Sequence, residues 1–260
     1  MKSPPIILLG APRSGTTLLG RIFSRHPEVA YLLEPRLIWS IGNHDRLDEV
    51  LTAEHLTPAI ARRIDRRFDR FRERLDRPRF AEKTPSNLLR IPFIRALYPE
   101  AKFIFIERDP VASLHSLARL EQQPPDPDRL WARLCELRPE NFHCQLRRLL
   151  DPEERAFFGP RVPGWRALLK LERPVRLARQ HRLLMRHAER DLPSVEFHRL
   201  SYEALVADPE RVIRGMFHFA QLSVCPIEQF PEILPEGETP EQREIDPAFR
   251  EIVEMELAAS

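Results

Sequence analysis

Lysine is almost missing from this sequence. Among 41 basic residues only Lys2, Lys83, Lys102 and Lys170 are lysines, so each stands out against a background of arginine. Glycine is scarce too, at 8 residues of 260, yet Gly10, Gly15 and Gly20 crowd into one short stretch. The three cysteines, Cys135, Cys144 and Cys225, are odd in number and show no C-x-x-C spacing. That argues against a disulfide framework or a zinc knuckle and fits inert thiols in a reducing compartment. Apolar runs are short. None approaches the roughly 20 residues of a membrane span, and the opening "IILLGAP" is too brief for a signal-peptide core. A cytoplasmic location without a membrane span is the expectation. The nine histidines form no H-x-x-x-H or H-E-x-x-H pattern, so no metal site is expected. A net charge of +2 gives no reason to expect a nucleic-acid partner.

What is present alternates between strand and helix. "PIILLG" (5–10) reads as a strand buried on both faces, and a helix follows from Thr16 to about Arg25, ended by His26-Pro27. "EVAYLLE" is a short extended segment reaching Glu34, "RFAE" a strand leading to Lys83, and "KFIFIERDP" a strand from residue 102. Asp109 followed by Pro110 marks a helix start, an acidic N-cap with proline at the first helical position. Residues 165–191 form a long helical pattern, "VEFHRL" is a strand, and "SYEALVADPERVIRGMFHFAQL" is helical with a break near Asp208-Pro209. This order predicts an α/β fold, a parallel sheet flanked by helices, as one domain over 1–260. Helical insertions are expected at about 41–78, where Ile60, Ile64, Phe68, Phe71 and Leu75 make an apolar stripe, and at the Pro-rich 124–164. Trp131, Leu134, Phe142 and Phe157 give the second insertion something to bury. The arginines between the stripe residues read as a solvated face. After about Pro231 the sequence is polar and Pro/Glu-rich, and loose packing apart from a short terminal helix is the expectation.

The first motif is "GAPRSGTTLLG", residues 10–20. Gly10, four residues and Gly15 begin a phosphate-binding P-loop, which places backbone N–H groups around an anion at a helix start. The lysine that normally follows the second glycine is replaced by Thr16, with Thr17 behind it and Arg13 inside the loop. That loss disfavours ATP-dependent phosphoryl transfer, which uses the lysine on the β- and γ-phosphates. The second motif is "FIERDPVASLHS". Arg108 at a strand end and Ser116 eight residues later, two turns into a helix, are candidates for a second phosphate site separate from the glycine loop; taken alone, Arg108 paired with a surface carboxylate and Ser116 as helix filler is the favoured alternative.

Together the two motifs resemble the sulfotransferase family that uses 3′-phosphoadenosine 5′-phosphosulfate (PAPS). The stretches "EKTPSNLLRIPFIRALYPEAKFIFIERDP" and "RLSYEALVADPE" are similar to bacterial members. The resemblance covers about residues 5–40, 80–120 and 165–222. It implies that Arg13, Ser14, Gly15, Thr16 and Thr17 hold the 5′-phosphosulfate, and that Arg108 and Ser116 hold the 3′-phosphate. Tyr202 would sit near the adenine, with a plain packing role as the alternative.

Sulfuryl transfer needs a base for the acceptor proton, charge stabilisation on the leaving group, and in-line placement of the reactants. The "EPR" segment at Glu34 resembles the glutamate segment of the tyrosylprotein and related bacterial sulfotransferases, which implies Glu34 as base. The small-molecule branch uses a histidine after a lysine-threonine pair, and none follows Lys83-Thr84-Pro85 here. His115 is the fallback base, and a surface carboxylate paired with Arg36 is the plain alternative for Glu34. Lys83 matches the family's catalytic lysine, unless the neighbouring Glu82 neutralises it. The chain departs from cytosolic members in its acidic tail, "LPEGETPEQREIDPAFREIVEMEL", which lacks their basic Gly-rich loop. The 3′-phosphate then needs cover from Arg119 or from arginines of the second insertion. The expected activity is PAPS-dependent sulfuryl transfer, without a metal, to a hydroxyl or amine of a small-molecule, carbohydrate, lipid or peptide acceptor. Adenosine 3′,5′-bisphosphate (PAP) would be released. A P-loop small-molecule kinase and a non-catalytic binder of PAPS or the bisphosphate are the alternatives. The sequence leaves the acceptor and the oligomeric state open.

Overall fold

Five short segments pair into one parallel sheet in the computed structural model, which describes residues 3–123, 139–223 and 245–259. The strands are β1 (Ile6–Leu9), β2 (Val29–Leu33), β3 (Arg79–Lys83), β4 (Lys102–Glu107) and β5 (Phe197–Ser201), in the spatial order β2-β3-β1-β4-β5. Helices α1 (Thr16–Arg25), α2 (Arg36–Trp39), α3 (Pro58–Arg74), α4 (Ile91–Leu97) and α5 (Pro110–Glu121) accompany the first four strands. Then come α6 (Pro139–Leu150), α7 (Pro152–Ala156), α8 (Trp165–Leu168), α9 (Arg173–Asp191), α10 (Tyr202–Ala207), α11 (Pro209–Phe219) and α12 (Pro247–Ala258).

The two-residue alternation of the strands divides the core into two layers. Ile6 and Leu8, with Ile104 and Ile106, pack against Leu19, Ile22 and Phe23 of α1 and Ile213 and Met216 of α11. Ile7 and Leu9, with Phe103 and Phe105, face Phe68 of α3, Phe93 of α4 and Leu184 of α9 on the other side. Phe68 stacks on Phe80 with ring centroids 4.4 Å apart, which fixes α3 to the sheet. A third cluster joins Leu114 and Leu117 of α5 to Leu177 of α9 and Val253 of α12.

Strand order locates the crevice. From β1 the chain departs towards the β2 edge, and from β4 it departs towards the β5 edge. The carboxyl ends of the adjacent β1 and β4 thus form a topological switch point, where open α/β sheets bind ligands. The glycine loop and Arg108 both lie there.

Three local differences from the sequence pattern have physical causes. The 165–191 pattern is two helices, because Pro174 sits in the first turn of α9 and sets its start after Glu172. In the α3 stripe, Ile64 and Phe68 are buried, but Leu75 is the C-cap and is 47% exposed. The segment after Lys83 coils into a 3₁₀ turn, Pro85–Leu89, and α4, neither of which periodicity reveals. Trp131, Leu134, Cys135 and Cys225 lie outside the described residues. Cys144 is a buried thiol 3.1 Å from Asp45 Oδ1.

Candidate active site

The glycine loop closes on itself before α1 begins. Ser14 donates from both its N–H and its hydroxyl to the Ala11 carbonyl, at 3.1 and 2.8 Å. Gly15 then adopts φ 101°, and a Cβ there would lie 2.6 Å from the Tyr202 ring, so both the turn and the close approach require glycine. No side chain caps α1, which leaves its first-turn N–H groups for an anion. Thr16 is buried at the helix start and Thr17 is exposed beside it.

Arg108 and Ser116 are placed by α5. Asp109 caps that helix by accepting from the Ala112 N–H at 2.7 Å, with Pro110 in its first turn. Arg108 donates through NH1 to the Arg13 carbonyl at 3.3 Å, and its guanidinium carbon lies 4.3 Å from the centre of the Tyr202 ring. Two turns on, Ser116 Oγ accepts from Arg13 Nε at 3.0 Å. The residues read from the two phosphate motifs are therefore one connected cluster, and Tyr202, the first residue of α10, is its floor. A cavity of about 470 Å³ opens beside it, bordered by Ser14, Arg108, Ser113 and His181.

Across β1 lies the second group. The β2–β3 register sets Leu33 opposite Lys83, and the Glu34 N–H donates to the Lys83 carbonyl at 2.8 Å. Glu34 then turns into the left-handed region, φ 50°, and its carbonyl accepts from the Arg36 N–H at 2.7 Å. A non-glycine residue costs about 1–3 kcal/mol in that region and persists where its surroundings fix it. The turn brings the Glu34 carboxylate against two cations. Lys83 Nζ lies 2.6 Å from Oε1 and Arg36 NH2 lies 2.7 Å from Oε2. Burial alone would raise the Glu34 pKa, but the charges of Arg36 and Lys83 outweigh it and hold the carboxyl below its ordinary value. It is ionised at neutral pH.

Lys83 is buried, but not by Glu82. Successive strand residues face opposite ways, and the fully buried Glu82 carboxyl accepts from Thr84 Oγ1 at 2.9 Å and from Asn87 Nδ2. Burial pushes the Glu82 pKa up to about 7, opposed mainly by the hydrogen bond from Thr84. The possible neutralisation of Lys83 by its neighbour does not occur. His115 packs edge-on against Phe249 of α12, with ring centroids 5.6 Å apart, and burial lowers its pKa. Arg119 is exposed one turn beyond Ser116.

Sequence reading missed what stands behind Glu34. Glu49 lies among Arg36, Arg90 and Arg161, with its carboxylate 3.5 Å from Arg90 and accepting the Arg161 N–H at 2.8 Å. Burial opposes ionisation there, but the charges of Arg161, Arg90 and Arg36 prevail and bring the pKa to about 2. These residues are dispersed over more than a hundred positions, and no spacing rule connects them. Among the described residues, no group of three or more His, Cys, Asp or Glu side chains is placed to hold a metal. No helix among them is long and apolar enough to cross a membrane.

Because β1 runs between β3 and β4, its glycine loop is flanked by Lys83 on one side and Arg108 on the other. Residues 4–151, more than half the chain, match the family described as Sulfotransferase family. The chain belongs to that family. It is similar to a putative protein-tyrosine sulfotransferase of Caenorhabditis briggsae, 36% identical over 43% of this chain and 42% of the relative. It is also similar to the nodulation protein NoeE of Sinorhizobium fredii, 31% identical over 42% of this chain and 30% of that protein. The chain thus spans less than half the length of these curated relatives. A solved sulfotransferase from Alicyclobacillus acidocaldarius shares the fold, with a TM-score of 0.53, 18% identity, and coverage of 98% of this chain and 91% of the other.

Proposed function

We propose that this protein transfers a sulfuryl group from PAPS to a hydroxyl or amine of an acceptor and releases PAP. One observation carries the reading: a second cation–hydroxyl site, Arg108 with Ser116, stands beside a glycine loop that lacks its lysine. ATP has no 3′-phosphate to engage that second site, and PAPS does. The uncapped start of α1, with Thr16 and Thr17, receives the 5′-phosphosulfate. Arg108 and Ser116 receive the 3′-phosphate, and the Tyr202 ring borders the adenine.

The acceptor oxygen or nitrogen attacks sulfur while the bond from sulfur to the phosphate oxygen breaks. Glu34, held ionised, takes the acceptor's proton as attack proceeds. Lys83, already at the carboxylate, turns to the phosphate oxygen on which charge collects, with the loop N–H groups as the remaining donors. Arg36 keeps Glu34 oriented while Lys83 is engaged. No metal is needed for these steps. The acceptor stays at the breadth of a small molecule, carbohydrate, lipid or peptide, since relatives named for tyrosine sulfation and for nodulation both match. The reading also places the reaction in the cytoplasm, where Cys144 remains a thiol.

The test is incubation with sulfur-labelled PAPS and a panel of phenols, sugars, lipids and peptides in EDTA. The reading expects label in at least one acceptor class together with stoichiometric PAP. Transfer from ATP in Mg²⁺ instead would establish a kinase, and PAP binding without turnover would establish a binding protein.

A further inference from the structure

Helix α6 carries its apolar stripe on the wrong side. A surface helix ordinarily lays that stripe on the protein and shows its polar face to water. In α6, Phe142, Leu146, Leu149 and Leu150 recur at helical spacing within an arc of about 100°. All four face solvent, between 41% and 69% exposed, although the sequence leads one to expect Phe142 buried. Polar groups of the opposite face hold the helix down. Cys144 Sγ donates to Asp45 Oδ1 at 3.1 Å, and Arg148 donates to the His44 carbonyl at 3.3 Å. Single apolar side chains on a surface are ordinary, but four of the nine large ones exposed among the described residues stand together on this helix. Exposed His143 and Arg147 border the stripe along one edge. The carboxylates that follow do not offset them, since Asp151 and Glu153 are paired with Arg166 and Glu154 with Arg161.

We propose that α6 is an interfacial helix, which docks the protein on the surface of an anionic lipid bilayer through Phe142, Leu146, Leu149 and Leu150. The occupant follows from area. From Phe142 to Leu150 the stripe is about 12 Å long and about 10 Å wide. That is far below the roughly 800 Å² that each partner gives to a stable protein complex. A lipid surface asks for no matching area: the apolar face sinks into the boundary between headgroups and acyl chains, and Arg147 at its edge meets lipid phosphate. At 12 residues α6 is too short to cross the bilayer, which takes about 20, so it lies in the surface plane. The helix is also joined to the candidate site. Burial lowers the Arg148 pKa, and the charges of Arg161, Glu154 and Glu49 act on the same group. Glu49 and Arg161 are the residues that stand behind Glu34, which places the docking face in the same part of the molecule as the proposed base. The proposal goes beyond sulfuryl transfer and holds whichever nucleotide is the donor.

Vesicle flotation tests it with the full chain. The vesicles are phosphatidylcholine alone, and phosphatidylcholine with phosphatidylglycerol in equal parts. The proteins are wild type, Phe142→Gln with Leu146→Gln, Leu149→Gln with Leu150→Gln, Arg147→Gln, and Met255→Gln as a control. Met255 is 62% exposed on α12 and lies outside the stripe. Glutamine keeps the helical preference of the residues it replaces, and matching melting temperatures confirm that these exposed positions leave folding unaffected. The expected result is that wild type floats with the mixed vesicles and less with phosphatidylcholine alone. Each apolar double variant then weakens binding to the mixed vesicles by about tenfold or more, and Met255→Gln binds as wild type does. Arg147→Gln lowers the advantage of the mixed vesicles by about fivefold, the worth of one cation at an anionic surface. A wild type that stays with neither vesicle overturns the proposal, as do double variants that bind as tightly as wild type. So does a wild-type dimer in solution that the double variants dissolve while no protein floats, which assigns the face to a second copy of this chain.

Discussion

Glu34 and Lys83 come from the ends of adjacent parallel strands and meet at 2.6 Å, Nζ to Oε1, with Lys83 almost wholly buried beneath the pair. On the proposed reading, the lysine absent from the glycine loop is thereby supplied from the adjacent strand, facing the carboxylate proposed as the base.

The first prediction concerns pH. The folded Glu34 pKa lies below the ordinary 4.5 because Arg36 and Lys83 outweigh burial. The acid limb of kcat/KM for the free enzyme therefore falls below pH 4.5, and activity is retained through mildly acidic conditions. Arg36→Ala removes the largest lowering influence, so the limb moves to higher pH. A limb that stays in place on this substitution assigns the titration to another group.

Glu82 gives a different signature, in stability rather than rate. Its pKa is about 7 folded against 4.5 as an ordinary carboxyl, so the folded state holds a proton that the unfolded state has released. The sign follows: stability is greatest below about pH 4.5 and declines as pH rises towards 7, by up to about 3 kcal/mol. Urea unfolding of Glu82→Gln should show that decline flattened. An unchanged slope between pH 5 and 7 would place the titrating group elsewhere.

Glu49 acts in the opposite sense. With a folded pKa of about 2, it contributes stability that is complete above 4.5 and lost as pH falls through 2. At pH 7, Glu49→Gln leaves Arg36, Arg90 and Arg161 without their shared carboxylate, a loss of about 3 kcal/mol or more. The gap between wild type and variant should close as pH approaches 2. A constant gap would mean that packing, not charge, explains it.

How much of this was readable beforehand follows from the range of each interaction. The strand–loop–helix at 6–25 and the Asp109–Pro110 helix start are local in sequence, and periodicity and capping residues reveal them. Glu34 and Lys83 were legible from motif residues, but their contact needed the β2–β3 register. Two features were out of reach because they depend on distant partners: the Glu49 cluster, and the turn of Arg13 towards Ser116, 103 positions away. The two helices over 165–191 were separable in principle, since Pro174 stands in plain view, but periodicity hid the break.

Gly20 belongs to the legible motif and has a role that the motif does not explain. A Cβ there would lie 2.0 Å from the Tyr31 hydroxyl, so α1 and β2 touch through this position. Gly20→Ala should cost about 1–3 kcal/mol through displacement of Tyr31, read as a lower melting temperature, with PAP affinity preserved once folded. Lost PAP affinity at unchanged stability would instead tie Gly20 to the phosphate site.

The most direct test of the central claim is single-turnover transfer of labelled sulfate from PAPS, in EDTA, by wild type, Glu34→Gln and Lys83→Ala. The account predicts transfer by wild type and a loss of about 10²–10⁴ in rate for each variant, with PAP binding retained in Glu34→Gln. Undiminished transfer by both variants, or wild-type transfer that needs ATP and Mg²⁺ in place of PAPS, would contradict it.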